Sequence, residues 1–290
     1  MTVPREPVVP AMSGGYEAEW RARFDDEAPP AGEVPEIPWL RRVLLRRTHR
    51  RYAPRPVPEA LLQLLLGAAF SASAKSDFQQ VSVIRVDDRV RRDRLAKLVP
   101  DMPWIGNAPV FLVFCGDARR LERLGGLRGH PQENGRLEGF FNAAIDAALV
   151  LQTCILAAET AGLGCCPISI IRNHADAVAA ILELPEKVFP VAGLSLGYPA
   201  AEGHISMRLP LAVTVHTDRY DDSRLAEAVD AYDRRRAARY AIPREQQRAP
   251  QTFGHADFYG WSEDKARQAA AQPEGQGFPV HLRARGFTFD

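Results

Sequence analysis

Seven arginines fall within fifteen residues in RRVLLRRTHRRYAPR (41–55), together with the hydroxyl of Thr48 and the ring of Tyr52. Guanidinium groups gathered at a chain reversal beside a hydroxyl can grip a phosphate monoester through paired hydrogen bonds, or set one cation against a delocalised anion. The same run also fits a solvated helix face or a contact with nucleic acid. Overall charge weighs against the last: Lys+Arg 37 against Asp+Glu 36 leaves +1 over 290 residues, whereas capture of nucleic acid or an anionic membrane needs a broad positive excess. A second run, RRRAAR at 234–239, follows acidic residues in a helical pattern and reads as solvated surface.

Other constellations carry less. GLSLG (193–197) has the G-x-S-x-G spacing of a hydrolase nucleophile elbow. That elbow turns directly from strand into helix, whereas Tyr198-Pro199 follow here and disfavour a helix start, so Ser195 is expected in a strand. The seven histidines contain no HExxH, and the adjacent Cys165-Cys166 pair has no second CxxC, so no metal site is expected. His174, near a helix start, and His216, in an expected strand, read as structural. Cys115, Cys154, Cys165 and Cys166 are too few to staple a chain of this length, and three lie in apolar runs typical of a reduced core. A cytoplasmic location is expected.

The elements that must position these groups follow from hydrophobic patterning. The length allows one large domain or two modest ones, and 46% hydrophobic with 25% charged residues is the composition of a soluble globular protein. Residues 1–36 carry prolines at 4, 7, 10, 29, 30 and 35, with one short helical pattern around GYEAEWRARF and no apolar secretory segment. They are expected to form an arm laid on another surface. Helices are expected at PWLRRVLLRR behind Pro38, at 58–70, at RRDRLAKLV, and at RNHADAVAAILEL with Asn173 as N-cap. VSVIRV (81–86), PVFLVFC (109–115), VFPVAGLSLGYP and LPLAVTVH read as strands. Residues 118–138 form an exposed helix-loop excursion. FFNAAIDAALVLQTCILAAETAGLG is apolar on nearly every side and closes on glycine, the pattern of a central helix buried by several neighbours, with a second subunit as one candidate. Its apolar stretch, around 143–158, is interrupted by Asp146 and Gln152 and falls short of the roughly 20 residues of a bilayer span. A charged helix follows from 222, then a polar tail.

Taken in order, RRTHRRY (46–52), the PVPEALLQLLLGAAFSASAKSDFQQVSVIRV that follows, APVFLVFCGD, the long helix, AGLGCCPISIIRNHADAVAAILELPEKVFPVAGLSLGYP, MRLP and WSEDKAR resemble the flavin-dependent nitroreductase superfamily. The likeness is to its NADPH-dependent nitroreductase and flavin reductase branch and covers about residues 37–290. It implies an α+β fold with a mostly antiparallel central sheet flanked by helices, assembled as an obligate homodimer with FMN in two interfacial clefts. The implied organisation is an N-terminal extension (1–36), an FMN-binding core (37–220) and a helical C-terminal extension (221–290) that contacts dimer and cleft.

Carried over by position, Arg46, Arg47 and Thr48 match the motif that grips the FMN phosphate, and Arg50 the cation at the pyrimidine end of the flavin. Arg208 matches a second phosphate arginine, with Ser206 where the branch usually has lysine. Ile168, Ser169 and Ile170 match the loop near flavin N5, and Ser76 and Asp77 lie on the substrate side. Met102 stands where a glutamine commonly contacts the flavin, and Ser169-Ile170 replace a glycine pair. The implied activity is ping-pong transfer of two electrons from NAD(P)H to a nitroaromatic, quinone or free flavin, with Arg50 tuning the flavin and no protein nucleophile. A pathway-specific flavoenzyme performing dehydrogenation, reductive dehalogenation or flavin fragmentation is the alternative within the family. A non-catalytic flavin-binding or interaction protein is the alternative outside it.

Overall fold

The computed structural model describes residues 15–25, 32, 34–271 and 274–289. Most of the expected proline-rich arm therefore lies outside the described residues. In chain order the elements are α1 Glu17–Phe24, α2 Pro38–Leu44, α3 Glu59–Phe70, β1 Val81–Arg85, α4 Arg89–Leu98, α5 Trp104–Asn107, β2 Val110–Asp117, α6 Arg119–Leu127, α7 Leu137–Thr160, β3 Gly164–Ile168, α8 Ala175–Leu182 and β4 Val188–Gly197. Helices α9 Leu211–Thr214, α10 Leu225–Arg239, α11 Pro250–Phe253, α12 Trp261–Ala271 and α13 Phe278–Ala284 follow. The chain divides into two units, one formed by Met1–Arg46 with Ile205–Pro273 and one by Arg47–His204 with Glu274–Asp290.

The second unit holds the sheet, in the order β1-β2-β4-β3 with every pairing antiparallel. β2 is buried at every position because both faces of the sheet are covered. Its alternation sorts the core. Val110, Leu112 and Phe114 pack with residues of α3 and α7, and Phe111, Val113 and Cys115 pack with residues of α4 and α8. This is the α+β fold with an antiparallel sheet flanked by helices that the family resemblance implies. Ser195 is a fully buried β4 residue whose hydroxyl donates to the Trp104 carbonyl at 3.2 Å, in keeping with the strand reading of GLSLG.

The central helix α7 ends in a Schellman turn. Gly162 takes φ +80°, its amide donates to the Glu159 carbonyl at 3.1 Å, and the Leu163 amide donates to the Ala158 carbonyl at 2.9 Å. One correction concerns its length: α7 runs 24 residues and is long and apolar enough to cross a membrane. It is instead packed against α3 and the sheet through Ala143, Ala147, Val150, Cys154 and Ala158. On its other side Leu137, Phe141, Ile145 and Leu149 stay exposed.

Two further expectations are corrected. LPLAVTVH forms α9 rather than a strand, so His216 lies outside any strand. Pro210 fixes the approach, and all four strands among the described residues belong to the other unit, so the β-branched run has no ladder to join. Asn173 does not cap a helix. It sits in a 3-10 turn, Ile170–His174, and its side chain accepts from the Gly275 amide at 2.9 Å, which leaves His174 at the start of α8. GCCPI forms β3, an edge strand hydrogen-bonded to β4 along its length, with Pro167 the fourth of its five residues.

Candidate functional site

The arginine run leaves α2 and enters the sheet unit as an extended segment laid beside β3. Thr48 bridges Cys165 in parallel, the His49 amide donates to the Cys165 carbonyl at 2.9 Å, and Tyr52 bridges Pro199. A close approach makes this possible: a Cβ on Gly164 would sit 2.7 Å from the His49 ring. The Tyr52 hydroxyl lies 2.7 Å from the His49 carbonyl and 3.0 Å from the Ser195 carbonyl, tying the segment to β4. Burial, reinforced by the neighbouring Cys166 and Cys165 thiols, pushes the Tyr52 phenol well above its ordinary range, so it remains a proton donor to these carbonyls.

Arg47 pairs with Glu202 and donates to the Gly203 carbonyl at 3.1 Å. Arg50 points into solvent over the Trp104 ring, 5.4 Å from its centroid. Met102 is half-buried and packs into the core beneath α5. Ile168 is buried at the end of β3, Ser169 is exposed, and Ile170 begins the 3-10 turn. Arg172 ties that turn to β4 through the Val191 carbonyl at 2.7 Å.

Ser76 and Asp77 lie in a loop with unusual backbone. Ser76, Asp77 and Gln79 have φ of 49°, 57° and 52°, a left-handed conformation that non-glycine residues adopt only when their surroundings impose it. The constraint comes from α7. Asp146, 1% exposed, accepts from the Lys75 amide at 3.0 Å and from the Gln80 amide at 2.9 Å. One carboxylate thus holds both ends of the loop.

In the other unit, Arg46 follows α2, while Ser206 and Arg208 lie in the stretch before α9. Ser206, Met207 and Arg208 line a cleft of about 590 Å³ with Tyr232, Arg236 and Trp261. Arg208 is exposed, and among the described residues its guanidinium meets only the Ser206 and Met207 carbonyls, at 3.4 Å each. The two distant stretches meet on Arg23 of α1. Its guanidinium donates to the carbonyls of Leu44, Arg46 and Ser206, and its own carbonyl accepts from the Arg208 amide at 2.9 Å.

The donor chemistry fits a phosphorylated, anionic group. Arg50 and Arg208 are exposed cations that no carboxylate pairs with among the described residues. A cation left without a counterion at a surface retains its field and its donors for a ligand. Among the described residues, no three His, Cys, Asp or Glu side chains converge in a way that could hold a metal ion. Sequence reasoning missed Arg23 and Trp104, which carry no local signal. It noted Asp146 only as an interruption of an apolar run.

Comparison with known proteins identifies the family. Residues 43–198 match the Nitroreductase family, and residues 206–290 match the Nitroreductase family, C-terminal domain. The chain is 38% identical over 191 residues to an FMN reductase [NAD(P)H] of Bacillus subtilis, covering 64% of this chain and 76% of that protein. It is 32% identical over 204 residues to an NADPH-flavin oxidoreductase of Vibrio harveyi, covering 69% and 81%. The solved structure of NfrA2 from B. megaterium superposes with TM-score 0.78 at 30% identity, covering 88% of this chain and all of that one.

Proposed function

The chain belongs to the nitroreductase family, and on that premise we propose that it is an FMN-dependent NAD(P)H oxidoreductase that delivers two electrons to a flavin, quinone or nitroaromatic acceptor. The observation that carries the reading is the pair of unneutralised surface guanidiniums, Arg50 and Arg208, on segments that match the family. Relatives named for FMN reduction by NAD(P)H and for NADPH-flavin oxidoreduction support donor and cofactor together.

Arg46, Arg47, Thr48, Ser206 and Arg208 are the proposed phosphate-binding residues. Ile168, Ser169 and Ile170 offer backbone to the flavin, and Ser76 and Asp77 face the substrate. When bound, FMN supplies the hydride-accepting and hydride-donating chemistry. Arg50 contributes a fixed positive charge where negative charge accumulates on reduction, which favours the reduced state without proton transfer from the protein. Donor and acceptor use the same cleft in turn. This assigns the FMN-binding core to residues 37–220 and the cleft-contacting extension to 221–290.

The same reading makes the protein a homodimer, supported by the exposed apolar stripe of α7. The four cysteines, all free and buried, suit a reducing cytoplasm. The test is anaerobic mixing of the FMN-reconstituted protein with NADH and NADPH side by side, followed by a panel of acceptors. Bleaching of the oxidised-flavin absorbance and its return with a quinone, nitroaromatic or free flavin are expected. A colourless protein that refuses added FMN would overturn the proposal.

A further inference from the structure

The family match begins at residue 43, so α1 lies outside it. Yet α1 supplies Arg23, an arginine only 6% exposed. Its Nε and Nη2 donate to the Leu44 carbonyl at 3.0 and 2.8 Å, Nη1 donates to the Ser206 carbonyl at 2.7 Å, and Nη2 also reaches the Arg46 carbonyl. The Leu44 carbonyl belongs to the last turn of α2, where backbone acceptors lack partners within the helix and a cation is favoured. At the end of α1 the relation reverses, and the Arg23 carbonyl accepts from the Arg208 amide at 2.9 Å. One residue thus closes two helix ends and ties the backbone of residues 44–46 to that of residues 206–208.

We propose that Arg23 is a positioning residue for phosphate binding, holding the backbones of Arg46 and Arg208 in the register in which their side chains receive the phosphate of FMN. This rests on the reading of the chain as an FMN protein. The planar fork of arginine suits the task because it serves carbonyls from three positions at once. A lysine is a point donor on a flexible stem and cannot fix three acceptors in one plane. Arg23 does not touch the phosphate in this account. It acts through the placement of Arg46 and Arg208, as outer-shell partners act on the ligands they orient.

The experiment compares FMN with riboflavin, which has the same ring system without the phosphate, by quenching of flavin fluorescence on the apoprotein of wild type, Arg23→Gln, Arg23→Lys and Arg21→Gln. Arg21 lies on the same helix, exposed and paired with Glu17, and serves as control. Arg23→Gln is expected to weaken FMN binding on the order of tenfold or more while leaving riboflavin affinity unchanged. Arg23→Lys is expected to fall between, and Arg21→Gln to match wild type. Hydrogen exchange on the wild-type chain gives a readout that needs no variant: FMN should slow exchange at amides 44–46 and 206–208, and riboflavin should not. Equal loss of FMN and riboflavin binding in Arg23→Gln, or no loss of either, would overturn the role of Arg23, as would identical exchange patterns with the two ligands. A wild-type chain that takes up no FMN would strike the cofactor reading itself and is recognised by the wild-type titration alone.

Discussion

The Arg50 guanidinium lies over the Trp104 ring, 5.4 Å from its centroid, and that ring belongs to a helix pinned from beneath by Arg92. Arg92 is buried, which depresses its guanidinium pKa. It donates to the Ile105 carbonyl at 2.9 Å and to the Ala108 carbonyl, fixing both ends of the short turn that presents Trp104. A surface cation is thereby given a rigid platform. The rate of flavin reduction by NAD(P)H should fall about tenfold or more in Arg50→Gln with FMN still bound, because the missing charge stabilises only the reduced state. Trp104→Leu removes a stacking contact worth about 0.5–1 kcal/mol and should give a smaller loss. Stopped-flow bleaching under anaerobic conditions separates the two, and an unchanged rate in Arg50→Gln would exclude Arg50 from the electron-transfer step.

The loop carrying Ser76 and Asp77 depends on Asp146. Two amides bond to this buried carboxylate, and hydrogen bonds to charged groups contribute about 1.5–3 kcal/mol each. Asp146→Ala should therefore lower stability by several kcal/mol in urea titration. Asp146→Asn keeps one acceptor oxygen and should lose less. It should also relax the left-handed backbone at residues 76, 77 and 79, raising KM for the acceptor while FMN affinity stays constant. An Asp146→Asn protein with unaltered KM would show that this loop does not meet the substrate.

The strands of the sheet centre and most helices were legible because each carries its own period. β2 alternates between two cores, and α7 carries the apolar face and closing glycines of a packed helix. What escaped was set by partners remote in sequence. β3, with Pro167 among its five residues, carries no strand pattern of its own until β4 offers it a ladder, and Asn173 reads as a helix cap until the Gly275 amide claims its side chain. LPLAVTVH has strand propensity but no sheet in its unit. The candidate site shows the same division. Arg46, Arg47 and Arg50 announced themselves by clustering and Arg208 only through the family resemblance, whereas Arg23 acts through carbonyls up to 183 positions away, and no spacing rule reaches that far.

The exposed stripe on α7 makes a prediction about assembly. Leu137, Phe141, Ile145 and Leu149, between 40% and 57% exposed, recur every four residues and form one slowly turning apolar band. Such a band on an otherwise packed helix is the signature of a protein interface. Sedimentation of the wild-type chain should give twice the chain mass. Phe141→Glu and Ile145→Lys, each placing a charge in the desolvated centre, should shift it toward monomer. A wild-type chain that sediments as a monomer would remove the homodimer from the proposed function.

Alkaline pH should weaken the fold through its buried thiols. Burial pushes Cys115 on β2 and Cys154 on α7 up to about 12 each. In the unfolded chain each thiol loses its proton near pH ~8.5. The folded chain keeps those protons until about pH 12, so between these limits the unfolded state binds fewer protons and stability declines as pH rises, by up to about 1.4 kcal/mol per pH unit for each thiol. The raised Tyr52 phenol acts in the same direction once the pH passes about 10. Urea titrations at about pH 8 and about pH 10 should show this loss, and Cys154→Ala should make the decline shallower by removing one of the groups. An equally steep decline in Cys154→Ala would mean that this thiol ionises alike in both states and that the packing around α7 is looser than its burial implies.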